Sequence, residues 1–330
     1  MRLLAAPDKF RGTLTAQEAA AAIAAGAARA GWTAVELPLA DGGEGTLDVL
    51  GGGNQRAIVT GPLGEPVEAQ LRLEDDDTAI VEAALACGLS IAGGPERNDP
   101  VGATSRGVGE LVATALAEGA DRIVVTVGGV ASTDGGLGAV ETLRPLLPLP
   151  VPLEVACDVE ASFLAAADVF APQKGATAEQ VAVLRARLDE LAHRYRDELG
   201  VDVRELAGSG AGGGLAGGLA AIGGRLVSGF DLVADRLGLD ERLQEADLVV
   251  TGEGRLDETS FTGKVVGRVL SRAADARVEA LVVAGDVAAE SPVQAVSLVE
   301  RCGPDRSLAD AAQCLSGVVA EILATRRNGP

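Results

Sequence analysis

The chain has 330 residues, a formal charge of −20 and 47% apolar residues, of which few are aromatic. That length exceeds the size at which a single core stops growing, about 250–300 residues, so two domains are expected. The acidic balance repels polyanions and excludes nucleic acid and anionic membranes as partners, while small anions stay admissible at helix N-termini and beside local cations.

Leu3–Ala6 reads as a buried strand and Thr15–Ala30 as a helix opened by a capping box of Thr15 and Glu18. Between them lies Asp8-Lys9-Phe10-Arg11-Gly12, which emerges at the carboxyl edge of a sheet, where ligands of open α/β folds bind. Val35–Ala40 is a second strand, followed by Asp41-Gly42-Gly43-Glu44-Gly45-Thr46. Its glycines permit a tight turn and close approach to a ligand, and Asp41 and Glu44 offer hard oxygens suited to Mg²⁺ or to a hydroxyl proton.

The texture then changes. Arg56–Leu73 reads as two antiparallel strands joined by the turn Pro62–Pro66. Thr104–Glu118 is a helix whose start, with Thr104 and Ser105, suits either ligand contact or capping. Arg122–Val127 is a buried strand leading into Gly128-Gly129-Val130-Ala131-Ser132-Thr133-Asp134-Gly135-Gly136, a loop able to present N–H groups to an anion, with Asp134 as its acid–base or metal-binding group. Leu153–Cys157 is a further strand, and Ala178–Leu199 a charged surface helix that carries the lone His193.

Gly208–Gly224 is the most glycine-dense segment, and its two overlapping G-x-G-x-x-G matches lack a convincing strand before them. It reads as an anion-facing turn followed by a closely packed helix, with close packing alone as the alternative. Beyond it, Asp247–Thr251, Ala280–Ala284 and Ala295–Val299 are strands, with helices at Gly263–Ala274 and Leu308–Ala324. Thr251-Gly252-Glu253-Gly254-Arg255-Leu256-Asp257 and Lys264 gather two carboxylates and two cations at one strand end, which suits a phosphate–Mg²⁺ site, although Val265 after Lys264 rules out a P-loop.

The order of elements predicts an α/β protein with a parallel-sheet domain formed by both chain ends, 1–60 and 230–330, and a mixed α/β domain, 61–229, inserted between them. A cleft between the two is the expected site. Only three lysines occur against 25 arginines, and Lys9, Lys174 and Lys264 each sit near glycine in short polar segments, as a phosphate-handling point charge would. Cys87, Cys157, Cys302 and Cys314 are far apart and lack metal-ligand spacing, which predicts free thiols in a cytoplasmic protein. No membrane span or signal peptide is expected, and homo-oligomer formation is left open.

Eight stretches, taken together, resemble the bacterial glycerate kinase family of the two-domain, non-P-loop type. They are Ala6–Gly12, Ala40–Thr46, Ala103–Leu111, Gly128–Gly136, Ala156–Val159, Pro172–Ala176, Gly208–Gly218 and Thr251–Asp257, and they run in the family order. The resemblance implies a flavodoxin-like first domain and transfer of the ATP γ-phosphoryl group to a hydroxyl of D-glycerate, with Mg²⁺. On that reading we assign catalysis to Asp41, Asp134, Lys9 and Lys264, with Asp134 competing with Asp41 to accept the substrate hydroxyl proton. Substrate and phosphate contacts fall to Arg11, Gly42, Gly43, Thr104, Ser105, Gly135, Gly136, Gln173, Lys174, Gly210, Gly212 and Arg255, and the metal to Glu44, Glu253 and Asp257. Two segments depart from the family pattern. Leu143–Pro152 is a short bridge where about 30 more residues are usual, judged by motif spacing, and Glu160–Ala167 replaces an Asn-Pro-Leu stretch. The alternative they raise is a non-catalytic, metabolite-binding relative acting as a sensor or regulatory subunit.

Overall fold

The structure, a computed structural model, describes residues 1–327. In chain order the first elements are β1 (Arg2–Ala5), α1 (Ala16–Arg29) and β2 (Thr33–Glu36). The middle of the chain forms α2 (Thr46–Val49), β3 (Gln55–Thr60), β4 (Pro66–Leu73), β5 (Thr78–Glu82), α3 (Ala84–Cys87), α4 (Arg106–Ala117), β6 (Arg122–Thr126) and α5 (Leu137–Leu143). It continues through β7 (Leu153–Ala156), α6 (Ala165–Phe170), α7 (Ala178–Leu199), α8 (Leu215–Ala221) and β8 (Arg225–Val227). The remainder forms α9 (Gly229–Leu237), α10 (Leu239–Gln244), β9 (Leu248–Thr251), β10 (Arg255–Leu256), α11 (Val265–Ala276) and β11 (Glu279–Ala284). Last come β12 (Asp286–Val287), β13 (Val296–Ser297), α12 (Leu298–Cys302), α13 (Pro304–Ala309) and α14 (Ala311–Arg327).

Two compact units result, Met1–Asp41 with Phe230–Pro330, and Gly42–Gly229. In the first, an all-parallel sheet runs β13-β11-β9-β1-β2. Its central strands are covered on both faces, which is why Leu248–Thr251 is buried throughout and reads as an unbroken apolar run. Neighbouring side chains go to opposite faces. Val283 joins the core of α1 and α14, while Val282 and Ala284 join Val266 of α11. Gly26 lets α1 and α14 meet closely, since a Cβ there would lie 2.6 Å from Ser316 O and 2.9 Å from Val319 Cβ. The capping box of α1 forms as expected: Thr15 Oγ1 accepts from Glu18 N at 3.1 Å, and Glu18 Oε2 accepts from Thr15 N at 2.8 Å.

The second unit holds a mixed sheet, β3-β4-β5-β6-β7-β8, antiparallel from β3 to β5 and parallel from β5 to β8. The expected hairpin is present, with Thr60 opposite Pro66. Residues 42–60, which the texture of the sequence assigns to the first domain, lie in this second unit, because β3 pairs with β4. Its buried core is mostly aliphatic and includes the aromatic rings of Phe163 and Tyr195, which meet edge to face at 6.2 Å.

Two other expectations need correction at the C-terminal end. The strand expected over 295–299 stops at Ser297, whose Oγ accepts from Glu300 N at 3.2 Å and so starts α12. The helix expected from Leu308 is two helices, broken at Asp310.

Candidate active site

In the first unit the chain leaves β1 toward β2 and leaves β9 toward β11, on the opposite side, so β1 and β9 flank the point where the strand order reverses. Ligands of open α/β sheets bind beyond the carboxyl ends of the strands at such a point. The loops after β1, β9 and β11 touch there backbone to backbone. Asp8 N donates to Gly252 O at 2.9 Å, Gly285 N to Glu253 O at 3.0 Å, and Asp286 N to Gly254 O at 3.0 Å. Only glycine fits at two of these positions: a Cβ on Gly252 would fall 1.8 Å from Val283 O, and one on Gly254 2.8 Å from Arg11 N.

This packing gathers three carboxylates, from Asp8, Asp41 and Glu253. Asp8 is half-buried, and its Oδ1 accepts from Lys9 N at 2.7 Å. Burial, and then the charge of Asp41, push its carboxyl up to about 7, with Glu253 adding to the rise; the hydrogen bond and charge of Lys9 act against it. Glu253 is only 8% exposed, and its Oε1 has no hydrogen-bond partner among the described residues. Its carboxyl is also raised, first by burial, while a hydrogen bond from Ser260 and the Lys264 charge lower it and Asp257 and Asp41 raise it. A buried carboxylate oxygen left unpaired is costly, about 1–3 kcal/mol or more. Sequence reasoning named Asp41 and Glu253 but passed over Asp8, although a carboxylate directly after the first strand of an open sheet was a readable signal.

The other predicted residues of this unit take different places. Asp257 caps the short helical turn Glu258–Phe261, with Oδ1 accepting from Thr259 N at 2.8 Å and Thr259 Oγ1 at 2.6 Å, and these bonds lower its carboxyl. Lys264 stands at the N-cap position of α11 and donates from Nζ to Thr259 Oγ1 at 2.8 Å. Arg11 and Arg255 are exposed, and Lys9 is half-buried beside Asp8.

In the second unit, Asp134 is a fastener for its loop. Its Oδ2 accepts from Ser105 N (2.8 Å), Ser105 Oγ (2.7 Å) and Gly138 N (3.2 Å), and its Oδ1 from Gly136 N (3.1 Å). Ser105 Oγ accepts in turn from Ala139 N at 3.1 Å, so Ser105 and Asp134 together tie the start of α4 to that of α5. Thr104 Oγ1 accepts from Arg106 N at 3.2 Å. Thr104 and Asp134 border a cavity of about 450 Å³ whose wall includes Leu184, Leu188 and Leu191 of α7. The arginines at its edge are engaged: Arg187 donates to Val101 O, and Arg194 pairs with Glu141 and Glu198.

Lys174 is buried, 5% exposed, and donates from Nζ to Ser132 O at 2.6 Å. Burial pulls its ammonium down to about 8, against the charges of Cys87 and Asp134. It therefore holds the Gly128–Gly136 loop from inside, whereas Gln173 beside it is exposed. In Lys174→Met the linkage is removed. Between pH 8 and 10.5 the unfolded chain holds a proton on Lys174 that the native chain does not, so wild-type stability rises with pH across that window. Denaturant unfolding of both proteins at pH 8 and 10 should find wild type gaining about 2 kcal/mol on the variant.

Gly210 and Gly212 lie in backbone packing: a Cβ would meet Ser162 O at 2.3 Å and Val127 O at 2.7 Å respectively. Gly212, at φ +62°, belongs to a run of positive-φ glycines through Gly214 that only glycine adopts without strain. Gly135 and Gly136 close against Leu191 and Gly218, and Gly42 against Gly229 and Ala156, so for all these glycines close packing is the observed use. Gly43 is half-buried and Glu44 exposed. Glu82, which the sequence reading missed, is 2% exposed and fastens that same turn by accepting from Gly45 N at 2.9 Å and Leu47 N at 2.8 Å. Of the expected metal set, Glu253 and Asp257 lie in the first unit and Glu44 in the second; among the described residues no group of three or more His, Cys, Asp or Glu is arranged to hold a metal ion. No helix among them is long and apolar enough to cross a membrane.

Comparison with known proteins agrees with this frame. The model of the glycerate kinase family matches residues 3–145 and 147–326. The break at 146 falls in the short bridge Leu143–Pro152. The glycerate kinase of Bacillus subtilis is 36% identical over 331 residues, covering 88% of this chain and 86% of its own. The glycerate 2-kinase of Escherichia coli is 36% identical over 305 residues, 80% of each chain. A crystal structure of a putative glycerate kinase 2 from Salmonella typhimurium superposes with a TM-score of 0.79 at 33% identity, covering 99% of this chain and 98% of the other. The chain belongs to the glycerate kinase family.

Proposed function

We propose that the chain transfers the terminal phosphoryl group of ATP to D-glycerate, on a first unit of flavodoxin-like type, at the carboxylates gathered beyond β1 and β9. The observation that carries this reading is the partnerless, buried Oε1 of Glu253 beside Asp8 at the strand-order reversal, in a member of a kinase family. Magnesium fits these residues. It takes hard oxygen ligands, keeps several waters, and is commonly held by one or two carboxylates together with substrate phosphates, so a three-ligand protein cage is unnecessary. Glu253 and Asp8 would hold it, and bound there it would neutralise charge on the phosphate oxygens.

Asp41, whose charge is felt by both Asp8 and Glu253, accepts the proton of the attacking hydroxyl in this scheme. Lys264 and the exposed Arg255 and Arg11 supply positive charge toward the nucleotide and the substrate carboxylate. Asp134, Ser105 and Lys174 act through the loop they hold. The acceptor is the 2-hydroxyl, after the E. coli relative named glycerate 2-kinase. The test is purified protein with ATP, Mg²⁺ and D-glycerate, followed by phosphorus NMR of the product. ADP formation that requires both glycerate and Mg²⁺, with 2-phosphoglycerate as product, is the expected result. Saturable glycerate binding without turnover would sink the kinase reading, and 3-phosphoglycerate would correct the acceptor.

A further inference from the structure

The four cysteines are free thiols, but two of them, twelve residues apart in sequence, are brought together by the C-terminal helices. α12 ends at Cys302, Gly303 turns the chain at φ +84°, α13 begins with Pro304, and α14 returns with Cys314 facing the same core. Cys314 is 2% exposed among the residues that pack α14 onto β1 and α1; Cys302 sits at the edge of that cluster, partly open to solvent. The Cys314 thiol lies 3.6 Å from Arg306 O, and Cys302 packs against the same cluster, near enough to act on that thiol.

We propose that Cys302 and Cys314 are a dithiol modification site that closes to an intramolecular disulfide by exchange with a low-molecular-weight disulfide of the oxidised-glutathione class. The Cys302 thiolate attacks one glutathione sulfur, forming a mixed disulfide and expelling one glutathione thiolate. The Cys314 thiol then loses its proton and attacks the Cys302 sulfur, expelling the second. Two protein S–H groups are oxidised to one S–S bond, one glutathione disulfide is reduced to two thiols, and the two protons released are taken up by the two glutathione thiolates.

The division of labour follows from exposure. Burial and the nearby Cys302 push the Cys314 thiol up to about 11, so it waits protonated inside while the accessible Cys302 meets the reagent first. Closure would link the end of α12 to α14 across α13. It would also anchor the element that supports the carboxylate loop, since Val299 N donates to Gly285 O at 3.0 Å and Gly285 N to Glu253 O at 3.0 Å.

The test treats the folded, reduced protein and its Cys302→Ser and Cys314→Ser variants with oxidised glutathione, quenches by alkylation, and maps the peptides by mass spectrometry. Wild type is expected to lose two hydrogens across Cys302 and Cys314, with both sulfurs protected from alkylation and recovered by dithiothreitol. Cys314→Ser should trap glutathione on Cys302 at about tenfold the level of wild type, because the resolving thiol is gone. Cys302→Ser should leave Cys314 unmodified. A wild-type protein that keeps a glutathione adduct on Cys302, or in which Cys302 and Cys314 are both alkylated after treatment, overturns the proposal; as that reading needs only wild type, a variant that fails to fold does not block it.

Discussion

Glu253→Gln should lower kcat by about 10²-fold or more, because it removes a negative oxygen from the point where the phosphoryl group is handled in the proposed scheme. The side chain keeps its length, so the loop between β9 and β10 stays in place, and Ser260 can still hydrogen-bond to the amide oxygen. Stability should rise or stay level in the same variant. Glu253 is a buried carboxylate with one unpaired oxygen and with Asp41 and Asp257 acting on it as like charges, and an amide removes that repulsion. The pair of measurements is steady-state kinetics with ATP and D-glycerate, and thermal unfolding without ligands. Wild-type turnover in Glu253→Gln would remove this residue from the chemistry, whatever the melting temperature does.

Asp8→Asn should likewise lose about 10²-fold in kcat, and weaken Mg²⁺-dependent nucleotide binding, if Asp8 helps to hold the ion. Its stability signature is separate. In the metal-free protein the Asp8 carboxyl is raised to about 7 from 3.8, so between those values the native state holds a proton that the unfolded chain has lost. Wild-type stability therefore falls as pH rises from about 4 to 7, then levels off. Asn cannot ionise and still accepts from Lys9 N. The variant should thus gain on wild type across that window and be about 2 kcal/mol more stable above it, after allowance for a half-buried site. A constant difference in melting temperature from pH 4 to 8 would mean that the three carboxylates do not share one environment.

Much of the frame was legible in the residues. The capping box at Thr15, the unbroken apolar run of β9, and the hairpin around Pro62–Pro66 are local signals, set by side chains a few positions apart. The loops after β1 and β9 were also legible as candidate site segments, because strand, glycine and charge follow one another in sequence. The roles within them were not. Asp134 looked like a reactive carboxylate, yet four hydrogen bonds from Ser105, Gly136 and Gly138 make it a fastener. Lys174 looked like a point charge for phosphate and is an internal tie to Ser132 O. The glycines of Gly208–Gly214 looked anion-facing and are occupied by neighbouring backbone.

By itself, then, the sequence determined the α/β class, most element positions and the family, because periodicity, capping and ordered motifs are properties of neighbouring residues. Only the tertiary structure decided which carboxylates keep an open oxygen. Whether an Asp or Glu is reactive depends on what stands against it from distant segments, as Asp41 and Glu253 stand against Asp8. That company is set by how the sheet orders its strands, and no local pattern encodes it.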